Sequence, residues 1–147
     1  MVIDSVLVVC VGNICRSPMG ERMLKARLPE IGVSSAGLGA LVGHEADADA
    51  AKAAKEFGVD LGGHSARLFN AEIGAAHGLI LAMEPSHRAE IVQRWPQLSG
   101  RTMLFDQWTG GKGISDPYRK PLAFHRQVRD QIFAAAAAWA DQLSLRG

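Results

Sequence analysis

The 147-residue chain has only two cysteines, Cys10 and Cys15, too few to staple a secreted scaffold with disulfides. Its five histidines are scattered, and no spaced Cys/His pattern of a zinc module exists, so no metal site is expected. An excess of either charge is missing too: 16 Lys+Arg stand against 15 Asp+Glu, with 21% charged residues. That balance excludes a disordered tail and a basic nucleic-acid binder. No long hydrophobic run occurs near the N-terminus, where Val6 to Val11 falls far short of the ~18 residues that span a bilayer. Asp4 stands where a signal peptide would be basic. The expectation is a cytoplasmic protein with reduced thiols and one domain, residues 1–147, since domains average ~100–200 residues.

What is present is an alternation of strands and helices. Ser5 to Val11 is a β-branched run ending at Gly12, the pattern of a strand buried on both faces. Ser17-Pro18 reads as a helix N-cap and first-turn proline, with Glu21 in the first turn and Met23, Leu24 and Leu28 facing inward. Ile31 to Ala36 is a second strand, and Asp47 to Phe57, stopped by Gly58, a second helix. Gly78 to Met83 is a strand leading into a helix from Pro85 to Trp95, and another strand lies near Thr102 to Leu104. A last helix, Pro121 to Leu143, carries Phe124, Val128, Ile132, Ala135, Trp139 and Leu143 at steps of three or four. This order predicts an α/β domain: a twisted, four-stranded parallel sheet with helices on both faces and a ligand site after strand 1. Two long connections, Gly37 to Ala46 and Phe105 to Lys120, are candidate functional loops.

The loop Cys10-Val11-Gly12-Asn13-Ile14-Cys15-Arg16-Ser17 places a thiol and a guanidinium at the two ends of a turn that closes into a helix N-terminus. Backbone N–H groups and the helix dipole in such a loop suit a phosphate, and Arg16 can add a two-pronged grip. The same field favours the thiolate of Cys10, making it a nucleophile. Cys15 either packs or serves as a disulfide partner that protects Cys10 on oxidation. A phosphoenzyme route needs a group that first protonates the leaving oxygen and then activates water, and Asp116, before Pro117, is the candidate.

Cys-x5-Arg-Ser at the N-terminus with Asp116-Pro117-Tyr118 far downstream resembles the low-molecular-weight protein tyrosine phosphatase family, over essentially the whole chain. The resemblance implies a phosphotyrosine-hydrolysing phosphoric monoester hydrolase with Cys10 as nucleophile, Arg16 as phosphate clamp and Asp116 as general acid. It implies that Asn13 and Ser17 hold the loop, that Ser17 helps the thiolate leave, and that Ser35 and His64 supply a supporting hydrogen-bond network. Tyr118 matches the aromatic lining the cleft. Arg119 stands where animal members carry a second tyrosine, and Leu38 and Leu41 where they place a large aromatic. These departures, with Asp116 to Lys120 and Met103 to Trp108, are similar to the bacterial branch associated with capsule and exopolysaccharide production. The partner implied is a membrane tyrosine autokinase with a tyrosine-rich tail, and no cofactor is implied.

Alternatives stay open at this point. An arsenate reductase of the same fold needs further cysteines to resolve its adduct, and none follows Cys15. A phosphocarrier has less need of Asp116. A non-catalytic phosphotyrosine-binding module would use the loop for recognition alone. Arg119 and Lys120 read either as a basic substrate-facing rim or as a solvated pair. Trp139 belongs to the last helix's core stripe, whereas Trp95 and Trp108 are undecided between core and surface.

Overall fold

The computed structural model describes residues 3–146. Strands β1 (Ser5–Cys10), β2 (Gly32–Gly37), β3 (Leu79–Ala82) and β4 (Thr102–Leu104) form one sheet in the order β2-β1-β3-β4, and every neighbouring pair is parallel. Helices α1 (Arg16–Arg27), α2 (Ala48–Lys55), α3 (Ala71–Ala75), α4 (Pro85–Arg94) and α5 (Leu122–Arg146) complete the fold. Val6, Leu7, Val8 and Val9 are all wholly buried, because both faces of β1 are covered. The period-two alternation of a strand divides them. Val6, Val8 and Cys10 pack with Met19, Met23 and Leu24 of α1, Ala50 and Ala54 of α2, and Val128, Ile132, Ala135 and Trp139 of α5. Leu7 and Val9 face the other way, onto Phe69, Ile80, Ile91 and Leu98, with Ile73 of α3 packed against that cluster.

The predicted architecture is therefore the observed one, with local corrections. Helix α1 begins at Arg16, with Cys15 in the cap position and no side-chain cap bond. Ser17 lies inside the helix, its hydroxyl occupied by other partners, and Glu21 falls beyond the first turn. Asp47 does cap α2, its Oδ2 accepting from the N–H groups of Asp49 and Ala50 at 3.1 Å each. The helix ends at Lys55, short of Phe57. The short helix α3, capped by Asn70, and the 3-10 turn Pro96–Arg101 carry no apolar period long enough to read. Trp139 is buried as expected; Trp95 is partly buried, its ring 4.8 Å from that of Phe69. Trp108, 42% exposed, meets Trp139 edge to face at 5.5 Å. Among the described residues no helix is long and apolar enough to cross a membrane.

From β1 the chain passes to β2 on one side and later to β3 on the other, so loops leaving β1 and β3 diverge at their carboxyl ends. Such a topological switch point leaves a crevice above the sheet. Because Leu7 is wholly buried in the second cluster, Leu7→Ala is expected to cost about 2–5 kcal/mol in urea unfolding.

Candidate active site

The residues after β1 line a cavity of about 170 Å³ at this crevice: Cys10, Val11, Gly12, Asn13, Ile14, Cys15 and Arg16, joined by Gly39, Leu41, Asp116 and Tyr118. Both long connections thus contribute walls. The segment after β2 runs beside the loop, with Leu38, Gly39 and Leu41 donating their N–H groups to the carbonyls of Cys10, Val11 and Gly12 at 2.9, 3.0 and 3.1 Å. Gly37 makes that approach feasible. A Cβ there would collide with the Val11 carbonyl oxygen and come within 3.0 Å of Asn13 Cβ. Leu41 lines the cavity, whereas Leu38 turns into the second core cluster, contrary to the pairing of the two leucines on one wall.

Asn13 adopts φ 58°, the left-handed region, and is wholly buried. Four contacts hold it there. The Arg67 N–H donates to Asn13 Oδ1 (3.0 Å), which orients the amide, and Nδ2 then donates to Ser17 Oγ (2.8 Å) and Ser35 Oγ (3.0 Å). His64 Nε2 donates to the Asn13 carbonyl at 2.6 Å. Ser35 Oγ–H donates onward to Glu21 Oε1 (2.7 Å), and Ser17 Oγ shares a hydrogen bond with Cys10 Sγ (2.9 Å), which the hydroxyl donates once the sulfur is a thiolate. The Asn13 N–H also donates to Cys10 Sγ, at 3.3 Å. As a thiolate the nucleophile candidate accepts both of these hydrogen bonds. Glu21 and Arg67 belong to this network and escaped the sequence reading, since nothing local sets them apart from surface charges.

Arg16 is buried at 1% exposure. Its Nη1 is taken up by Glu84 Oε2 (2.5 Å) and the Ile114 carbonyl (2.7 Å), while Nη2 has only Asp116 Oδ2, at 3.8 Å. Nε is buried and has no hydrogen-bond partner. A buried guanidinium with one edge unpaired is costly unless an anion completes it. The Nε–Nη2 edge is the side able to grip an oxyanion with two parallel bonds. Glu84, at the end of β3, was not anticipated by the sequence. His87 Nε2 lies 3.4 Å from the same Glu84 oxygen, and burial, with the Arg16 charge, holds this imidazole below the ordinary histidine range.

Asp116 sits at the cavity mouth, its side chain half exposed, with Oδ1 accepting the Tyr118 N–H at 3.0 Å. Tyr118 and Leu41 are partly exposed on the rim, and the Arg119 guanidinium lies 5.2 Å from the Tyr118 ring centre. Cys15 differs from Cys10. Burial, reinforced by Asp47, pushes its thiol far above the ordinary range, so it stays protonated at neutral pH. Both cysteines are free thiols. Asp47, Asp49 and His125 bring three donor atoms within 4.8 Å of one another, behind the loop rather than in the cavity. There the Asp47 N–H donates to the Ile14 carbonyl.

Asn13→Ala removes three side-chain hydrogen bonds and leaves alanine in a left-handed conformation. Calorimetric titration with inorganic phosphate is expected to show a loss of about 1–3 kcal/mol in affinity.

The family model of low molecular weight phosphotyrosine protein phosphatase matches residues 5–146. The low molecular weight protein-tyrosine-phosphatase Etp of Escherichia coli (strain K12) is 49% identical over 141 residues, covering 96% of this chain and 95% of the relative. The probable phosphatase AmsI of Erwinia amylovora is 45% identical, with 97% and 99% covered. Among solved structures, the tyrosine phosphatase Wzb from Escherichia coli K30 in complex with sulphate superposes with a TM-score of 0.94 at 42% identity, covering 96% of this chain and 99% of that one. The YwlE arginine phosphatase from Geobacillus stearothermophilus gives 0.90 at 32% identity, covering 97% and 94%. With a thiol, a buried arginine and a carboxylate gathered at one cavity, and with these similarities along its length, the chain belongs to the low-molecular-weight protein tyrosine phosphatase family, on its bacterial branch.

Proposed function

We propose that the chain hydrolyses protein phosphotyrosine through a phosphocysteine intermediate. The observation that carries this reading is the sulfur of Cys10, which is hydrogen-bonded to the Ser17 hydroxyl and the Asn13 N–H and lines the same cavity as the unpaired edge of Arg16 and the carboxylate of Asp116. The Cys10 thiolate attacks phosphorus and a P–S bond forms as the phosphorus–phenol oxygen bond breaks. Asp116 gives its proton to the departing phenolate oxygen. Arg16 and the loop N–H groups carry the charge of the transferring phosphoryl group. In the second half Asp116, now ionised, takes a proton from water as that water attacks phosphorus, and the P–S bond breaks. Inorganic phosphate leaves, and the Ser17 hydroxyl receives the returning thiolate.

Selectivity for tyrosine follows from reach: with Leu41 and Tyr118 as walls, a long aromatic ester presents its phosphorus to Cys10 more readily than a short serine ester. A substrate protein with an acidic or multiply phosphorylated tail suits the exposed Arg119 and Lys120. The proposed partner is accordingly a membrane tyrosine autokinase with a tyrosine-rich tail, in exopolysaccharide synthesis. The bacterial-branch features at Arg119, Leu41 and Met103 to Trp108 support this reading. The likeness to an arginine phosphatase makes phosphoarginine the informative competitor in the assay.

Phosphate release is to be measured from matched phosphotyrosyl, phosphoseryl and phosphoarginyl peptides, under reducing conditions with a chelator present. Tyrosine-selective release is expected, abolished in Cys10→Ser while inorganic phosphate still binds. Retained turnover by Cys10→Ser would refute the mechanism. In the same assay Asp116→Asn is expected to slow phosphocysteine formation by ~10²–10⁴, the usual contribution of a general acid.

A further inference from the structure

We propose that Asp106 is a positioning residue for this reaction, holding the loop that presents Asp116; the inference rests on the acid role assigned to Asp116 above. Between β4 and α5 the chain runs through Thr109-Gly110-Gly111-Lys112-Gly113, and all three glycines have positive φ, 125°, 70° and 96°. Such a run has little conformational preference of its own. Asp106 ties it back on itself. Its carbonyl accepts the N–H groups of Thr109 and Gly111, each at 3.0 Å, and its Oδ2 accepts that of Gly113 at 2.9 Å.

The Gly113 bond is the consequential one. It delivers the chain to Ile114, whose N–H donates to the Met83 carbonyl at the end of β3 (2.8 Å) and whose carbonyl accepts from Arg16 Nη1 (2.7 Å). Gly113 itself fits closely against α4, since a Cβ there would lie 2.9 Å from Pro85 Cδ. Asp116 follows three residues after Gly113. Asp106 is 6% exposed, so its bond to Gly113 is shielded from competing water. Its other oxygen, Oδ1, has no partner and its residue lines a separate cavity of about 310 Å³ with Gln131 and Lys112. The mechanism uses none of this, yet the arrangement sets where the acid stands. Arg16 has a second acceptor, Glu84 Oε2, outside this segment, whereas Asp116 depends on the segment for its place, so the deficit from losing Asp106 is expected to fall on proton donation.

The test compares Asp106→Ala, Asp106→Ser and Asp106→Asn on phenyl phosphate, whose leaving group needs a proton, and p-nitrophenyl phosphate, whose leaving group needs it far less. Asparagine retains an acceptor at the length required by Gly113; serine and alanine do not. Misplacing an acid by about 1 Å costs up to ~10²-fold, so the Ala and Ser variants are expected to lose about 10- to 100-fold in kcat/KM, which reports phosphocysteine formation, on phenyl phosphate and under about 3-fold in kcat/KM on p-nitrophenyl phosphate. Asp106→Asn is expected to restore both rates. A loss equal on the two esters, no loss, or an Asn variant as impaired as Ala would overturn the proposal, as a merely structural role predicts no leaving-group dependence. Asp116→Asn, run alongside, separates the failures. If it shows the leaving-group dependence and the Asp106 variants do not, only the positioning role falls; if it shows none, the acid assignment falls and takes this inference with it.

Discussion

One strained residue underlies the site. Asn13 is held in a left-handed conformation, and in that conformation its N–H donates to the Cys10 sulfur while the loop around it lines the cavity. Left-handed backbone is unfavourable for a residue with a Cβ, so surrounding structure must over-determine it. Here Arg67 orients the amide, Ser17 and Ser35 accept from it, and His64 secures the carbonyl. The same bonds hold the Ser17 hydroxyl beside the sulfur, where it can donate to the thiolate. Strain, loop shape and the polarity of the nucleophile's surroundings are one constraint.

The second organising element is the divergence of loops at the β1/β3 junction. The β1 loop brings the thiol, the β3 end brings Glu84, and the long connection before α5 brings Ile114 and Asp116. Arg16 lies where the three meet. One nitrogen is spent on protein acceptors, which costs affinity for an anion yet prevents the buried side chain from rotating. What remains is a fixed, unpaired edge, the preorganised kind of charge stabilisation that needs no rearrangement as the reaction proceeds.

Two cysteines five residues apart sit in different surroundings. Cys10 faces donors, the Ser17 hydroxyl and the Asn13 N–H. Cys15, in the cap position of α1, is buried and feels the Asp47 carboxylate, so ionisation there is opposed. Both thiols line the cavity, and their different neighbours decide the chemistry.

The sequence by itself determined the layers and the reactive loop. Val6 to Val9 read as doubly buried because continuous β-branched runs have few other uses, and Cys10, Arg16 and Ser17 at their spacing were legible because loop and helix are local. Asp116 became legible only because the Cys10 loop called for an acid, and Tyr118, Ser35 and His64 only through resemblance to a family, since an isolated Asp-Pro or histidine has many local explanations. Tertiary structure decided the rest. Glu84, Glu21, Arg67 and Asp106 act across separations of 7 to 68 residues, by contacts such as Arg16 to Glu84 and Gly113 to Asp106, that leave no periodic or compositional trace. It also removed Ser17 from its expected cap and Leu38 from its expected wall, because the hydroxyl finds a stronger use beside the sulfur and the leucine a drier place beneath the sheet.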